Sequence, residues 1–180
     1  LIVVDVETTG LNPAINALLS IGATVLHPRI DKLQQVKATT LDHSDELDFY
    51  RECRVYRDDL EMVKPEVFSI NPNLRRHLNS EMPQPEQIVQ EFIQWCVGKN
   101  DVLLAGENPY FDASFLKIYT DIWPFGYRYV DLHSIYWFIT KQSMGLTDMA
   151  KLLLNRERGT AHNALEDAKL VRDCLIELLT

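Results

Sequence analysis

Three short acidic stretches carry side chains able to do chemistry: Asp5-Val6-Glu7, Glu107-Asn108-Pro109-Tyr110-Phe111-Asp112 and His162-Asn163-Ala164-Leu165-Glu166-Asp167. In a strand, residues i and i+2 project to one face, so Asp5 and Glu7 present their carboxylates together. Two like charges at the end of a buried strand repel, and a cation relieves them. The plainer reading is a pair of solvated carboxylates at a strand tip. In the second stretch Asn108 followed by Pro109 reads as an N-cap and first-turn pair. Asp112 falls four residues later, on the same side of the helix start and near its positive end. The plainer reading there is a cap and a dipole partner. In the third stretch Asn163 reads as an N-cap, with Glu166 placed to close a capping box. His162 and Asp167 then occupy positions that meet at a helix entry. His162 can lose and gain a proton near neutral pH, although a surface histidine is the usual fate of a lone one.

The coincidence of the three stretches says more than any one. Asp5, Glu7, Asp112 and Asp167 each sit at the start or end of an element that can approach one sheet edge, and His162 adds a base. Hard oxygen ligands without cysteine or paired histidines favour Mg²⁺ or Mn²⁺ over Zn²⁺. Two such ions roughly 3.5–4 Å apart stabilise both the attacking and the leaving oxygen of a phosphodiester displacement.

The elements that must position these groups follow from the pattern. Leu1–Val6 is an apolar run broken only by Asp5, as expected of a central strand buried on both faces. Ala17–Leu26 reads as a second strand and Phe49–Tyr56 as a third, more polar edge strand, with a hairpin extension around Val36–Leu41. Strands in succession predict an antiparallel start. Helices are expected at Pro65–Ser69, Asn73–Leu78, Pro85–Val97, Pro109–Ile122, Leu132–Thr140, Leu146–Leu154 and Asn163–Leu179, with strands at Asp101–Ala105 and Tyr127–Val130. This order predicts one α/β domain over residues 1–180, a mixed sheet with helices on its faces.

Composition agrees with a chain of 180 residues that buries a sizeable core without staples. Lys plus Arg is 18 and Asp plus Glu is 26, so the net charge is −8, which excludes a simple polycation. It leaves a nucleic-acid enzyme open, because metal-binding carboxylates count as negative until the ions are present; two divalent ions would bring the charge to about −4. Cys53, Cys96 and Cys174 form no C-x-x-C pair, which fits a reducing compartment and a cytoplasmic location. No stretch approaches the ~20 apolar residues of a membrane span. The chain opens at Leu1, already within a strand pattern, so the natural N-terminus is expected upstream, where an organelle-targeting segment could lie.

The motifs DVETTG at Asp5–Gly10, N-x-x-F-D-x-x-F-L at Asn108–Leu116 and H-x-A-x-x-D at His162–Asp167 resemble the three exonuclease motifs of the DnaQ-like 3′–5′ exonucleases, in the DEDDh subgroup. That family includes the proofreading subunit of bacterial DNA polymerase III and ribonuclease T. The resemblance spans nearly the whole chain. It implies a ribonuclease H-like fold with a five-stranded mixed sheet and two Mg²⁺ or Mn²⁺ ions. It implies Asp5, Glu7, Asp112 and Asp167 as metal ligands and His162 as the general base acting on the attacking water. Thr8, Thr9, Gly10 and Asn108 would hold the terminal 3′ nucleotide. One position departs from the pattern: many members have His immediately before the motif-two Asn, where this chain has Glu107. With two ions already supplied with ligands, Glu107 is expected to point away from the metals or to pair with Arg156 or Arg158.

The function expected is hydrolysis of single-stranded DNA or RNA from its 3′ end, releasing nucleoside 5′-monophosphates, with DNA slightly favoured. The alternatives are an exoribonuclease or oligonucleotide-degrading enzyme of the same family, and an inactive exonuclease-like domain that binds a polymerase or another partner. A polymerase and a second copy of the chain are the candidate protein partners. A phosphate loop or nucleophilic serine elbow is absent from the sequence. Asp131 reads as an N-cap rather than a ligand. Arg75, Arg76 and His77 form the nearest approach to a basic patch, and Arg156 with Arg158 could meet phosphates or line a solvated loop. The aromatic stretch from Trp123 to Phe138 could stack on bases but suits core packing or a dimer interface better.

Overall fold

The computed structural model describes residues 1–31, 35–39, 47–56, 74–97, 103–159 and 162–180. Its centre is a five-stranded sheet built from β1 (Ile2–Thr8), β2 (Leu18–Val25), β5 (Asp48–Glu52), β6 (Leu104–Gly106) and β7 (Tyr129–Asp131), in the order β5-β2-β1-β6-β7. β2 runs antiparallel to both of its neighbours, β1 and β5, while β6 runs parallel to β1 and β7 parallel to β6. The sheet is therefore mixed, as the order of strands and helices in the sequence predicts, with β5 at one edge. A separate antiparallel ribbon of β3 (His27–Asp31) and β4 (Gln35–Thr39) stands where the hairpin around Val36–Leu41 is expected, and it begins earlier, directly after β2. The helix expected at Pro65–Ser69 lies outside the described residues.

Alternation along β1 divides the core. Ile2, Val4 and Val6 pack with Ile88, Phe92 and Phe115 of α1 (Pro85–Val97) and α2 (Pro109–Leu116). Val3 packs on the other face with Leu132 and Tyr136 of α3 (Leu132–Thr140), Met149 of α4 (Leu146–Leu154), and Val171 and Leu175 of α5 (Ala164–Leu179). Asp5 and Glu7 share the parity of Val3, so they face the α5 side, where the apolar row gives way to carboxylates.

Two local differences have clear causes. The helix expected over Pro109–Ile122 is α-helical only to Leu116 and continues as a 3₁₀ turn over Lys117–Tyr119, a common tightening of a helix end. Of the helix expected over Asn73–Leu78, the described residues Leu74–Leu78 form a 3₁₀ turn, and its His77 is buried with Nδ1 2.7 Å from the Cys53 carbonyl. Arg76 meanwhile pairs with Glu52. Those contacts dismantle the basic patch that the sequence suggested. Among the described residues no helix is long and apolar enough to cross a membrane.

Candidate active site

Three pieces of backbone bring the acidic stretches together. The first is the close crossing of α5 over β2. Asp5 pairs with Gly22 across the β1–β2 ladder. A Cβ on Gly22 would lie 2.1 Å from the backbone of Ala164 and Leu165, so only glycine lets the start of α5 settle there. Asn163 caps that start, its side chain accepting from the Leu165 and Glu166 amides at 3.1 Å each. The entry geometry places His162 and Asp167 side by side, Nδ1 to Oδ2 3.9 Å, as the cap spacing predicts. The Glu166 side chain lies 3.5 Å from Lys169 Nζ.

The second piece is the end of β6. Pairing of β1 with β6 covers Ile2 and Val3, and β6 ends at Gly106. Beyond it the Val6 amide donates to Asp112 Oδ1 at 2.9 Å. A buried amide thereby finds its partner and a carboxylate is fixed between Asp5 and Glu7. The third piece is the turn after β1. The Thr8 hydroxyl donates to the Gly10 carbonyl at 2.7 Å. Thr9 is buried, its hydroxyl accepting from the Ala17 amide at 2.8 Å. The side chains of Thr8 and Thr9 thus shape the loop, and a Cβ on Gly10 would strike Asn16 at 2.6–2.8 Å.

The result is a buried acidic centre. Asp5 is held well above the ordinary carboxylate range by burial, then by Asp112, Glu7 and Asp167, with Arg158 pulling the other way. Burial and Asp167 push Glu7 up to about 7. Burial pushes Asp112 up to about 8, against the hydrogen bonds it accepts from the Val6 amide and its own. His162 is pulled below its ordinary value by burial and by Arg158, which favours the neutral, proton-accepting imidazole at pH 7. Glu7, His162 and Asp167 each offer an atom within 4.8 Å of the others. Asp5 and Asp112 complete the cluster from β1 and α2. An all-carboxylate donor set, buried with an excess of negative charge, suits hard divalent cations. Asp5, Glu7, Asp112 and Asp167 are the residues that could hold them.

Some residues are placed differently from what the sequence predicts. Asn108 does not cap α2 with its side chain: its backbone is left-handed (φ 58°, ψ 55°), which turns the side chain away from the helix amides. Asparagine tolerates that conformation well. Its own amide donates to Asp131 Oδ1 at 2.9 Å. Asp131 is the N-cap of α3, accepting from the His133 and Ser134 amides at 3.2 Å each, as its position predicts. Glu107 pairs with neither Arg156 nor Arg158. Its Oε1 accepts from the Leu146 amide at 2.9 Å, capping α4 in place of Gly145, which has no side chain to do so. No local pattern links residues so far apart. Arg156 pairs with Asp173 at 2.6 Å. Arg158 reaches into the centre itself: its Nε donates to Asp167 Oδ1 at 2.7 Å and its Nη2 to Asp167 Oδ2, with Nη2 also 3.1 Å from His162 Nδ1.

A mixed sheet in this order, with carboxylates from β1, α2 and α5 meeting at the end of its central strand, is a ribonuclease H-like fold of the kind seen in DEDDh nucleases. The model of the RNase_T exonuclease family matches residues 2–173, and the chain belongs to that family of 3′–5′ exonucleases, which are phosphodiester hydrolases. It is 28% identical over 177 residues to the 3′–5′ DNA exonuclease Cap18 of Escherichia coli, covering 92% of this chain and 84% of that protein. Among solved structures, the nuclease domain of 3′hExo, a DEDDh member bound to rAMP, aligns with a TM-score of 0.71 at 16% identity, over 99% of this chain and 90% of that one. S. pombe Pop2p in its Mg²⁺- and Mn²⁺-bound form aligns with a TM-score of 0.68 at 18% identity, over 98% and 81%. At those identities the structural likeness speaks to the fold.

Proposed function

We propose that this exonuclease removes nucleoside 5′-monophosphates from the 3′ ends of single-stranded nucleic acid, with DNA favoured, using two Mg²⁺ or Mn²⁺ ions. The observation that carries the reading is the convergence of the buried Asp112 and Asp167 with the half-buried Asp5 and Glu7, and with His162 at the rim. A binding module has no use for three carboxylates, Asp5, Glu7 and Asp112, held this far from their ordinary protonation. Divalent ions bound there would offset the developing negative charge and orient the oxygens of the reacting phosphate. His162, open to solvent on one side and kept neutral, takes the proton of the attacking water. Asp167 beside it steadies the charged imidazolium that forms. The Thr8–Gly10 turn, at the end of β1, offers backbone groups to the terminal nucleotide. The preference for DNA is supported by the similarity to a DNA exonuclease.

Digestion of matched 5′-labelled DNA and RNA oligonucleotides tests all of this. Stepwise shortening from the 3′ end with Mg²⁺ or Mn²⁺, none with EDTA, and faster loss of DNA are expected. Internal cleavage, or activity that survives EDTA, overturns the reading, and faster loss of RNA reverses the substrate preference.

A further inference from the structure

Arg158 occupies an unusual position for a residue of a surface loop. Its guanidinium grips both oxygens of the buried Asp167 and neighbours His162. Asp5 and Glu7 both feel its charge. It is the cation that offsets the acidic centre among the described residues there. The fork engages both oxygens of Asp167, the same oxygens that a divalent ion would draw on, so the two cations compete for one carboxylate. The loop that carries Arg158 follows α4 and is tied to α5 at two points, Arg156 to Asp173 and Arg158 to Asp167. Between loop and helix lies an open cleft of about 370 Å³, lined by the cations Arg156, Arg158, Lys169 and Arg172 and by the acids Glu157, Glu166, Asp167 and Asp173, which leaves the guanidinium room to move. A planar fork that fits a carboxylate also fits a phosphate.

We propose that Arg158 has two seats: on Asp167 in the metal-free protein, and on a phosphate of the bound strand's 3′ end once divalent ions engage Asp167. Arg158 is then both a counter-charge of the carboxylates and, once divalent ions are bound, a substrate-binding residue. The second seat rests on the function proposed above; the first does not.

The two seats give effects of opposite sign. Arg158→Gln should bind Mn²⁺ more tightly than wild type in calorimetry without nucleic acid, by about tenfold, the scale of one charge-assisted contact. With Mn²⁺ saturating, the same variant should bind a phosphorothioate-protected single-stranded DNA about tenfold more weakly, and the slope of log affinity against log salt should shrink by ~0.7. Arg158→Lys should keep most of the salt slope and lie between the two in affinity. Melting curves of the metal-free proteins check that the variants fold. Weaker or unchanged Mn²⁺ binding in Arg158→Gln overturns the first seat. Unchanged strand affinity and salt slope overturn the second. If wild type binds Mn²⁺ but does not shorten any oligonucleotide, the functional reading fails while the calorimetric result on the first seat still stands.

Discussion

Two groups of carboxylates lie close together in this molecule and behave oppositely. Asp131 accepts three backbone amides and the Ser134 hydroxyl. Despite partial burial, those donors hold it below the ordinary carboxylate range. Asp5, Glu7 and Asp112 are held above it by burial and then by neighbouring acids, Asp112, Glu7 and Asp167 acting on Asp5, Asp167 on Glu7, and Glu107 and Glu7 on Asp112. The residue types are the same; the supply of donors differs. A carboxylate whose lone pairs are filled by amides organises the backbone. A carboxylate left facing its own kind is waiting for a cation.

The sharpest way to break this contrast is to neutralise a member of the acidic centre. Asp5→Asn should lower the exonuclease rate by about 10³–10⁵-fold, since metal charge stabilisation is worth several kcal/mol and each 1.36 kcal/mol is tenfold. The metal-free variant should melt no lower than wild type, because a repelling charge has gone. Equal rates for the two proteins under saturating Mg²⁺ would contradict the assignment of Asp5 as a ligand. His162→Ala comes next, with a loss of roughly 10²–10⁴-fold in the single-turnover rate and Mn²⁺ affinity changed far less. A single-turnover rate that stays at the wild-type level across neutral pH would leave His162 a helix-entry residue only.

The same contrast has a pH signature. Glu7 and Asp112 have folded pKa values of about 7 and about 8, raised above their unfolded values. The folded protein therefore holds more protons than the unfolded chain, and their contribution is complete below about pH 4 and lost as pH rises through 7 to 8. Asp5, Asp167, Arg158 and His162 face the same centre and shape that window. Asp131 has the opposite sign: its contribution is present above about pH 4 and lost as pH falls through its lowered value. Thermal melts in EDTA should fall from pH 6 to pH 8.5, and saturating Mg²⁺ should restore most of that loss. A metal-free melting temperature that rises over the same interval would reverse the argument. Asp131→Ala removes the α3 cap and should cost about 1 kcal/mol, ~2–4 °C in melting temperature, at every pH above 5 and with or without metal.

Much of this contrast is legible in the amino-acid sequence. Asp131 and Asn163 are followed by free helix amides within three residues, so local spacing reveals their caps. The parity of Val3, Asp5 and Glu7 in a buried strand puts both acids on one face, and the entry spacing of His162 and Asp167 makes them neighbours. What stays hidden is non-local. The left-handed turn at Asn108 follows from the chain leaving β6 abruptly, and no cap pattern encodes it. The grip of Arg158 on Asp167 needs a loop to fold back onto α5. Glu107 caps a helix thirty-nine residues further on.

Glu107 therefore gives the smallest predicted effect and the finest test of the contrast. It stands where many family members carry His, one residue before Asn108, and burial raises its pKa above the ordinary value. On that ground it resembles the acidic centre. Its hydrogen bond says otherwise: the Leu146 amide donates to Oε1 and lowers that pKa in part, which is the relation Asp131 has with α3. Glu107→Gln keeps a carbonyl oxygen for Leu146 and removes only the charge at the α4 N-terminus. The loss of charge–dipole attraction should cost ~0.3–1 kcal/mol, while the relief of a buried, partly repelled carboxylate offsets some of it. The melting temperature should move by less than ~4 °C in either direction, and Mn²⁺ affinity should stay within about twofold. Glu107→Ala leaves the Leu146 amide without its partner and should be the less stable of the two. If calorimetry instead shows Glu107→Gln losing tenfold or more in Mn²⁺ affinity, Glu107 belongs with the metal ligands, and a filled hydrogen bond to a helix amide does not separate structural from metal-binding carboxylates in this fold.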